Sequence, residues 1–253
     1  TLSKRLPNLP ITTGNSYTVA TAIEGAKRGC TLMGRDLAEV RVAVVGATGS
    51  IGATCAEILA RDVAHITLIG RDTGRLDTLK TRLQPATSCE FATSTQIDTG
   101  LKDADLIITV TSAVDAVILP EHIKRGAVVC DVARPRDVSV RVAKERNDVL
   151  VLEGGVVAVP GDMKTPSHNH PERSFSFGFP PGTAYACMSE TMLLALEHRY
   201  ENFTIGKEVS VTQVDEIAQI AVKHGFHLAG FRSFEKAVSE ETIAQIRRNA
   251  GAK

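Results

Sequence analysis

The sequence predicts an α/β fold: a doubly wound, parallel sheet of Rossmann type with flanking helices drawn from both termini. Three observations carry this. Short apolar, β-branched runs recur at 42–45, 65–69, 106–110, 127–132 and 149–152. Segments of helical periodicity or turn composition separate them. A glycine-spaced turn, Gly46-Ala47-Thr48-Gly49-Ser50-Ile51-Gly52, follows the first run and opens a helix.

The elements follow in order. Residues 1–12 are polar and contain proline, and read as an arm. Ser16 suits a helix cap, with Val19, Ile23, Ala26, Cys30 and Met33 at helical spacing behind it. The βα alternation then begins, with helices expected from the glycine turn to about Ala60 and from Thr73 to about Leu83. Beyond Gly155 the pattern changes. Residues 158–182 read as one long loop, and loops of that length inside a domain are often functional. Thr183 to Tyr200 reads as a helix whose inner stripe is Ala184, Met188, Met192 and Ala195. Thr212 suits the cap of another helix, ended by Gly225, and a last helix starts near Ser239. Three consecutive parts result: an arm and helix at 1–38, a nucleotide-binding domain at 39–157, and a loop with C-terminal helices at 158–253.

Composition narrows the classes of function. The 253 residues are 43% hydrophobic and 23% charged, with a formal net charge of zero. Nothing in that balance favours a nucleic-acid surface or a polybasic membrane patch. No apolar run reaches the ~18 residues of a spanning helix. Five cysteines, odd in number and without a CxxC pair, read as reduced thiols of a cytoplasmic protein. A chain beginning at Thr1 reads as processed or as a fragment.

The glycine turn carries the cofactor expectation. Its residues Gly46, Thr48, Gly49, Ser50, Ile51 and Gly52 let main chain approach a pyrophosphate at a helix start, where free N–H groups attract an anion. At the end of the second strand an NAD site usually places Asp or Glu. Here Arg71 stands there, suited to a 2′-phosphate, so NADP is the expected cofactor. Asp72 beside it is the residue type of an NAD site, and Arg75 is a second cationic candidate. Thr111 and Ser112, and then Gly154 and Gly155, end later strands and line the same expected crevice.

Cys187 is the candidate nucleophile. It falls in the first turns of the helix after the long loop, off the inner stripe, where a helix start stabilises a thiolate. The other four cysteines sit in apolar strands or helices or, for Cys89, near a loop, and read as core. Other residues stay open. His168 and His170 would suit a metal, but no third ligand lies nearby and a solvated loop explains them; no metal is expected. Phe175, Phe177 and Phe179 would line an acyl channel or one face of a strand. Glu190 would serve proton transfer or structure, Tyr185 an oxyanion or a surface, and Asn15 and Ser16 a helix cap or a ligand contact.

Several segments resemble one family. Thr12-Thr13-Gly14-Asn15-Ser16-Tyr17-Thr18, the turn GATGSIG, Leu152 to Val157, Ala186 to Leu194, Tyr200 to Thr204, and His224-Gly225-Phe226 are similar, in the same order, to the aldehyde-forming long-chain acyl-acyl carrier protein reductases of cyanobacterial type, or to close bacterial relatives known as predicted dehydrogenases. That resemblance implies an NADPH-dependent reduction of a fatty acyl thioester, from acyl carrier protein or CoA, to an aldehyde. Cys187 is then the residue that accepts the acyl group. The alternatives are a shikimate-dehydrogenase-like enzyme with direct hydride transfer and a non-catalytic NADP-binding module. The family carries a substantial region before the TTGN segment that helps hold the acyl chain, and this chain has almost none of it. The long loop also departs from the family. A homodimer covering exposed apolar surface, or a protein that gains acyl affinity when that region is restored, is therefore expected.

Overall fold

Strand-forming runs that are apolar along their whole length must be buried on both faces, and that is how the first strands sit. The computed structural model describes residues 2–161, 180–206 and 208–251. In chain order these form α1 (Leu2–Arg5), α2 (Asn15–Leu32), β1 (Arg41–Val45), α3 (Ser50–Leu59), β2 (His65–Ile69), α4 (Thr73–Leu83), β3 (Glu90–Ser94), α5 (Ile97–Leu101), β4 (Leu106–Thr109), β5 (Val128–Asp131), α6 (Val140–Glu145) and β6 (Leu150–Glu153). After them come β7 (Val156–Ala158), β8 (Thr183–Tyr185), α7 (Ala186–Leu196), α8 (Val211–Lys223), β9 (His227–Leu228), β10 (Phe231–Ser233), β11 (Lys236–Val238) and α9 (Glu240–Asn249).

The chain forms two units. The larger holds residues 22–154 and 231–251 of the described chain. Its six strands are all parallel, in the order β3-β2-β1-β4-β5-β6. The order reverses between β1 and β4, and a crevice opens at such a switch point, outside the carboxyl ends of the strands. Ala43, Val45, Ile69, Ile107, Val129 and Val151 pack in one core layer of this unit. The hairpin β10–β11 and helix α9 also belong here, although residues 155–230 intervene in the chain.

The smaller unit holds residues 2–21 and 155–230 of the described chain. Its sheet is β8-β7-β9, antiparallel throughout. Its core gathers Tyr17, Val157, Leu193, Phe203, Ile217 and Phe226. The three consecutive parts expected from the sequence are therefore distributed differently. Residues 11–13 cluster with 202–204 because Thr13 N–H donates to the Thr204 carbonyl at 2.9 Å and Phe203 N–H to that of Ile11 at 3.2 Å.

Four local expectations need correction. Helix α2 starts at Asn15, so Ser16 lies inside its first turn, and its hydroxyl pairs with that of Thr204 at 2.6 Å instead of capping. Thr183 to Tyr185 is strand β8, and the helix starts only at Ala186. That helix buries Ala186, Ser189, Glu190, Leu193 and Leu194, while Met188 and Ala195 of the expected inner stripe face out. The helix is apolar nearly all round, so its buried face was decided by the hydrogen bonds that Ser189 and Glu190 make inside. Ser210, not Thr212, caps α8, in a capping box with Gln213. Strand β3 went unread because only Phe91 and the ladder to β2 hold it at the sheet edge.

Candidate functional site

The candidate nucleotide site is the turn from β1 to α3. Gly46 has φ +80°, and a Cβ there would stand 2.9 Å from the Val110 carbonyl oxygen. Gly46 and Ala47 donate their N–H groups to the Ile69 carbonyl at 2.9 and 3.0 Å, which ties the turn to β2. Gly49 is the N-cap of α3 in an extended conformation, with no side chain to satisfy the helix start. A Cβ on Gly52 would lie 2.5 Å from the Gly46 carbonyl oxygen, so only glycine lets the helix pack this closely on the turn. The Ser50 hydroxyl in the first turn is buried and lacks a hydrogen-bond partner among the described residues. An unpartnered hydroxyl beside uncapped helix N–H groups fits a pyrophosphate. Thr48 and Ile51 flank the turn, half-buried.

At the end of β2, Arg71 is exposed and carries no ion pair among the described residues. Asp72 is occupied: it caps α4, accepting the Arg75 N–H at 3.0 Å. The Arg75 guanidinium donates to the Thr48 carbonyl at 2.9 Å and braces the glycine turn from outside.

After β4, Thr111 is held by a buried carboxylate that sequence reasoning missed. Asp137 is fully buried and accepts from the Thr109 hydroxyl at 2.6 Å, the Thr111 N–H at 2.8 Å, and the Thr111 hydroxyl. Ser112 beside it is exposed. Asp131, at the end of β5, accepts the N–H groups of Ala133 at 3.1 Å and Val138 at 3.0 Å. Burial pushes its carboxyl up to about 6, with the neighbouring Asp137 carboxylate adding to that against those N–H donors. The only sequence signal for this pair was an aspartate ending an apolar strand and a second one six residues on.

Gly154 follows β6, and a Cβ there would meet Val132 Cγ2 at 3.1 Å. Gly155, at φ +88°, belongs to the smaller unit, where its carbonyl accepts the Ala186 N–H at 2.7 Å and seats the start of α7.

That start carries Cys187, the second residue of α7. It is exposed, whereas Cys30, Cys55, Cys89 and Cys130 are buried. Burial raises the Cys30 and Cys55 thiols to about 12 and Cys89 to about 11, and Cys130 beyond that range. The expected lowering at Cys187 is overridden. Partial burial pushes this thiol above its ordinary value too, and the Glu190 carboxylate adds to it. The N–H groups of Met188 and Cys187 itself pull the other way and do not win.

Against Cys187 lies a residue that sequence reasoning left without a role. Gly14 has φ +75°, and a Cβ on it would stand 2.4 Å from both Cα and Cβ of Cys187. A glycine between an arm and a helix start was the available signal. Asn15 opens α2, and Tyr185 is the N-cap position of α7 without a side-chain capping bond. His168, His170, Phe175, Phe177 and Phe179 lie outside the described residues. Among the described residues no cluster of three or more His, Cys, Asp or Glu side chains could hold a metal ion. No helix among them is long and apolar enough to cross a membrane.

A parallel sheet in this order, with a glycine turn after β1 opening an uncapped helix, defines the class: a Rossmann-type NAD(P)-binding fold of the kind found in oxidoreductases. Comparisons agree with that class. A family model for shikimate / quinate 5-dehydrogenase matches residues 29–152. Over 95% of its length the chain is 28% identical to the aminotransferase PigE of a Serratia species, covering 27% of that protein. It is 30% identical over 224 residues to the long-chain acyl-[acyl-carrier-protein] reductase of Synechococcus elongatus, covering 85% of this chain and 61% of that one. The chain thus spans roughly a quarter of the first relative and three fifths of the second. Among solved structures, a dipicolinate synthase polypeptide from Bacillus halodurans aligns at 19% identity with a TM-score of 0.46, over 63% of this chain and 50% of that one.

Proposed function

We propose that the protein is an NADPH-dependent reductase of acyl thioesters that forms an aldehyde through a thioester on Cys187. The observation that carries this reading is the exposed thiol in the first turn of α7, with the Gly14 turn against its main chain. The likeness to the acyl-[acyl-carrier-protein] reductase spans that segment and supports it.

The Cys187 thiol gives up its proton, and the thiolate adds to the thioester carbonyl. The tetrahedral adduct expels the carrier thiolate, which takes the proton. NADPH, when bound, supplies a hydride to the acyl carbon. The hemithioacetal alkoxide on Cys187 then breaks its C–S bond, releasing aldehyde and a thiolate that takes a proton from water to restore the thiol. The N–H groups of Cys187 and Met188 stabilise the sulfur charge as it forms, while burial and the Glu190 carboxylate oppose it. In the larger unit, Gly46, Gly49 and Ser50 would hold the pyrophosphate, with Arg71 on the 2′-phosphate. Arg71 has no ion-pair partner among the described residues, while the competing Asp72 is engaged as a helix cap; this favours NADP over NAD. Thr111, Ser112 and Gly154 would border the nicotinamide end; Gly155 belongs to the smaller unit. Acyl carrier protein or CoA is the carrier in this reading.

A second reading rests on the shikimate / quinate 5-dehydrogenase match over 29–152: direct hydride transfer without a covalent intermediate. One experiment separates the two. Incubated with an acyl thioester, the protein gains the acyl mass on Cys187, and adding NADPH yields aldehyde. Aldehyde formation by Cys187→Ala at the original rate would overturn the covalent route.

A further inference from the structure

One buried carboxylate beside the thiol has no part in the steps above. Glu190 stands three residues after Cys187, one turn along α7, and its side chain is 0% exposed. Donors on either side of Gly14 take both of its oxygens. The Thr12 hydroxyl donates to Oε1, and the Tyr17 main-chain N–H donates to Oε2 at 2.8 Å. Thr12 Oγ1 in turn accepts the Gly14 N–H at 3.4 Å and the Thr204 N–H at 3.3 Å. A carboxylate is buried this fully only where donors meet it, so the helix and the Thr12–Tyr17 segment are locked together here. Between the two donors sits Gly14, within 2.4 Å (for a built Cβ) of the Cys187 Cα and Cβ.

We propose that Glu190 is a positioning residue for Cys187: by drawing in Thr12 and Tyr17 it presses the Gly14 turn onto the Cys187 main chain, fixing where the thiol stands and placing a negative charge behind it. This rests on the reading of Cys187 as the nucleophile. The Gly14 main chain fills the space beside Cβ, which removes directions the sulfur could otherwise take. Among the described residues, Glu190 is the charged side chain that bears on the thiol; the remaining influences are burial and the N–H groups of Cys187 and Met188. Position and charge oppose one another. The turn orders the thiol for attack, while the carboxylate holds its proton on.

Two variants separate these effects. Glu190→Gln keeps the size: its carbonyl still accepts from Tyr17, but its amide cannot take the Thr12 hydroxyl proton, so the charge and that one bond are lost together, whereas loss of the bond alone is read from Thr12. Thr12→Val keeps size and charge and loses the hydroxyl that joins the turn to Glu190. The probe is iodoacetamide, with Cys187 labelling rates followed across pH by peptide mass on the full chain, alongside melting temperature and aldehyde formation. For Glu190→Gln the labelling midpoint is expected to move to lower pH, with roughly threefold faster labelling at pH 7. For Thr12→Val the midpoint stays, while the high-pH plateau rises about twofold as the sulfur gains freedom, and Thr12→Ser restores it. A folded Glu190→Gln with the wild-type midpoint, or a Thr12→Val plateau equal to wild type, overturns the proposal. Should Glu190→Gln fail to fold, the Thr12 pair decides alone. The expected labelling shifts in a protein that makes no aldehyde would instead sink the reductase reading and leave the role of Glu190 standing.

Discussion

Cys187 and the four buried cysteines are all pushed above the ordinary thiol value, so exposure rather than charge separates them. Reactivity needs both thiolate and access. Alkylation at neutral pH is therefore expected to mark Cys187 first, and Cys187→Ala is expected to abolish acyl transfer while leaving NADPH binding intact. Faster labelling of Cys30, Cys55, Cys89 or Cys130 would contradict this. At the other site, Arg71→Ala is expected to erode a preference for NADPH over NADH by ~1–3 kcal/mol, the size of a lost charge-assisted contact. Calorimetric titration with both cofactors checks it, and equal affinities in the unmutated protein would remove the basis of the NADP assignment.

Within the turn from β1 to α3, two glycines have different tasks. Gly46 needs its positive φ, whereas Gly49 has φ −78°, which any residue adopts. Gly46→Ala is expected to cost ~1–2 kcal/mol of stability from the left-handed conformation alone, seen as a lower melting temperature. Gly49→Ala meets only the Gly46 carbonyl oxygen, at 3.2 Å, and is expected to melt close to wild type yet bind NADPH at least tenfold more weakly, because its methyl group would stand at the proposed approach of the pyrophosphate. Tight NADPH binding by a stable Gly49→Ala protein would show that the turn serves packing rather than a ligand. The β10–β11 turn is held by other means. Phe234 and Glu235 both have positive φ, 48° and 68°, without being glycine. Arg136 holds them, lying 5.5 Å from the Phe234 ring centroid and ion-paired to Glu235 and Glu153.

The stability of the folded chain should carry the mark of Asp131. Its carboxyl rises from 3.8 to about 6 on folding, so the folded protein holds that proton more tightly than the unfolded chain. The contribution is therefore fully present below pH 3.8 and lost as pH rises through about 6. Over that window the stability difference between wild type and Asp131→Asn is expected to shift by about 3 kcal/mol, moving against wild type as pH rises. Asp148 acts in the opposite sense. Its hydrogen bond with Arg146 lowers it, so its contribution is present at neutral pH and lost only as pH falls through that lowered value. Denaturant titrations of both proteins at pH 4 and pH 7 test the Asp131 effect, and a pH-independent difference would refute it.

The parallel strands, the glycine turn and the place of Cys187 near a helix start were all legible in the chain before folding is considered. Each is written locally: continuous β-branched runs bury both faces of a strand, and a turn that must admit a pyrophosphate requires glycine. Three features became visible only in the folded protein: which face of α7 is buried, why residue 14 is glycine, and that Thr111 hangs on Asp137. Helix α7 is apolar on nearly every side, so periodicity could not choose its inner face. That choice was made by a carboxylate at position 190 meeting donors at positions 12 and 17, more than 170 residues away along the chain. The direction of the Cys187 thiol was hidden for the same reason. A helix start lowers a thiol by a local rule, but burial and a facing carboxylate are properties of the folded surroundings, and here they outweigh it.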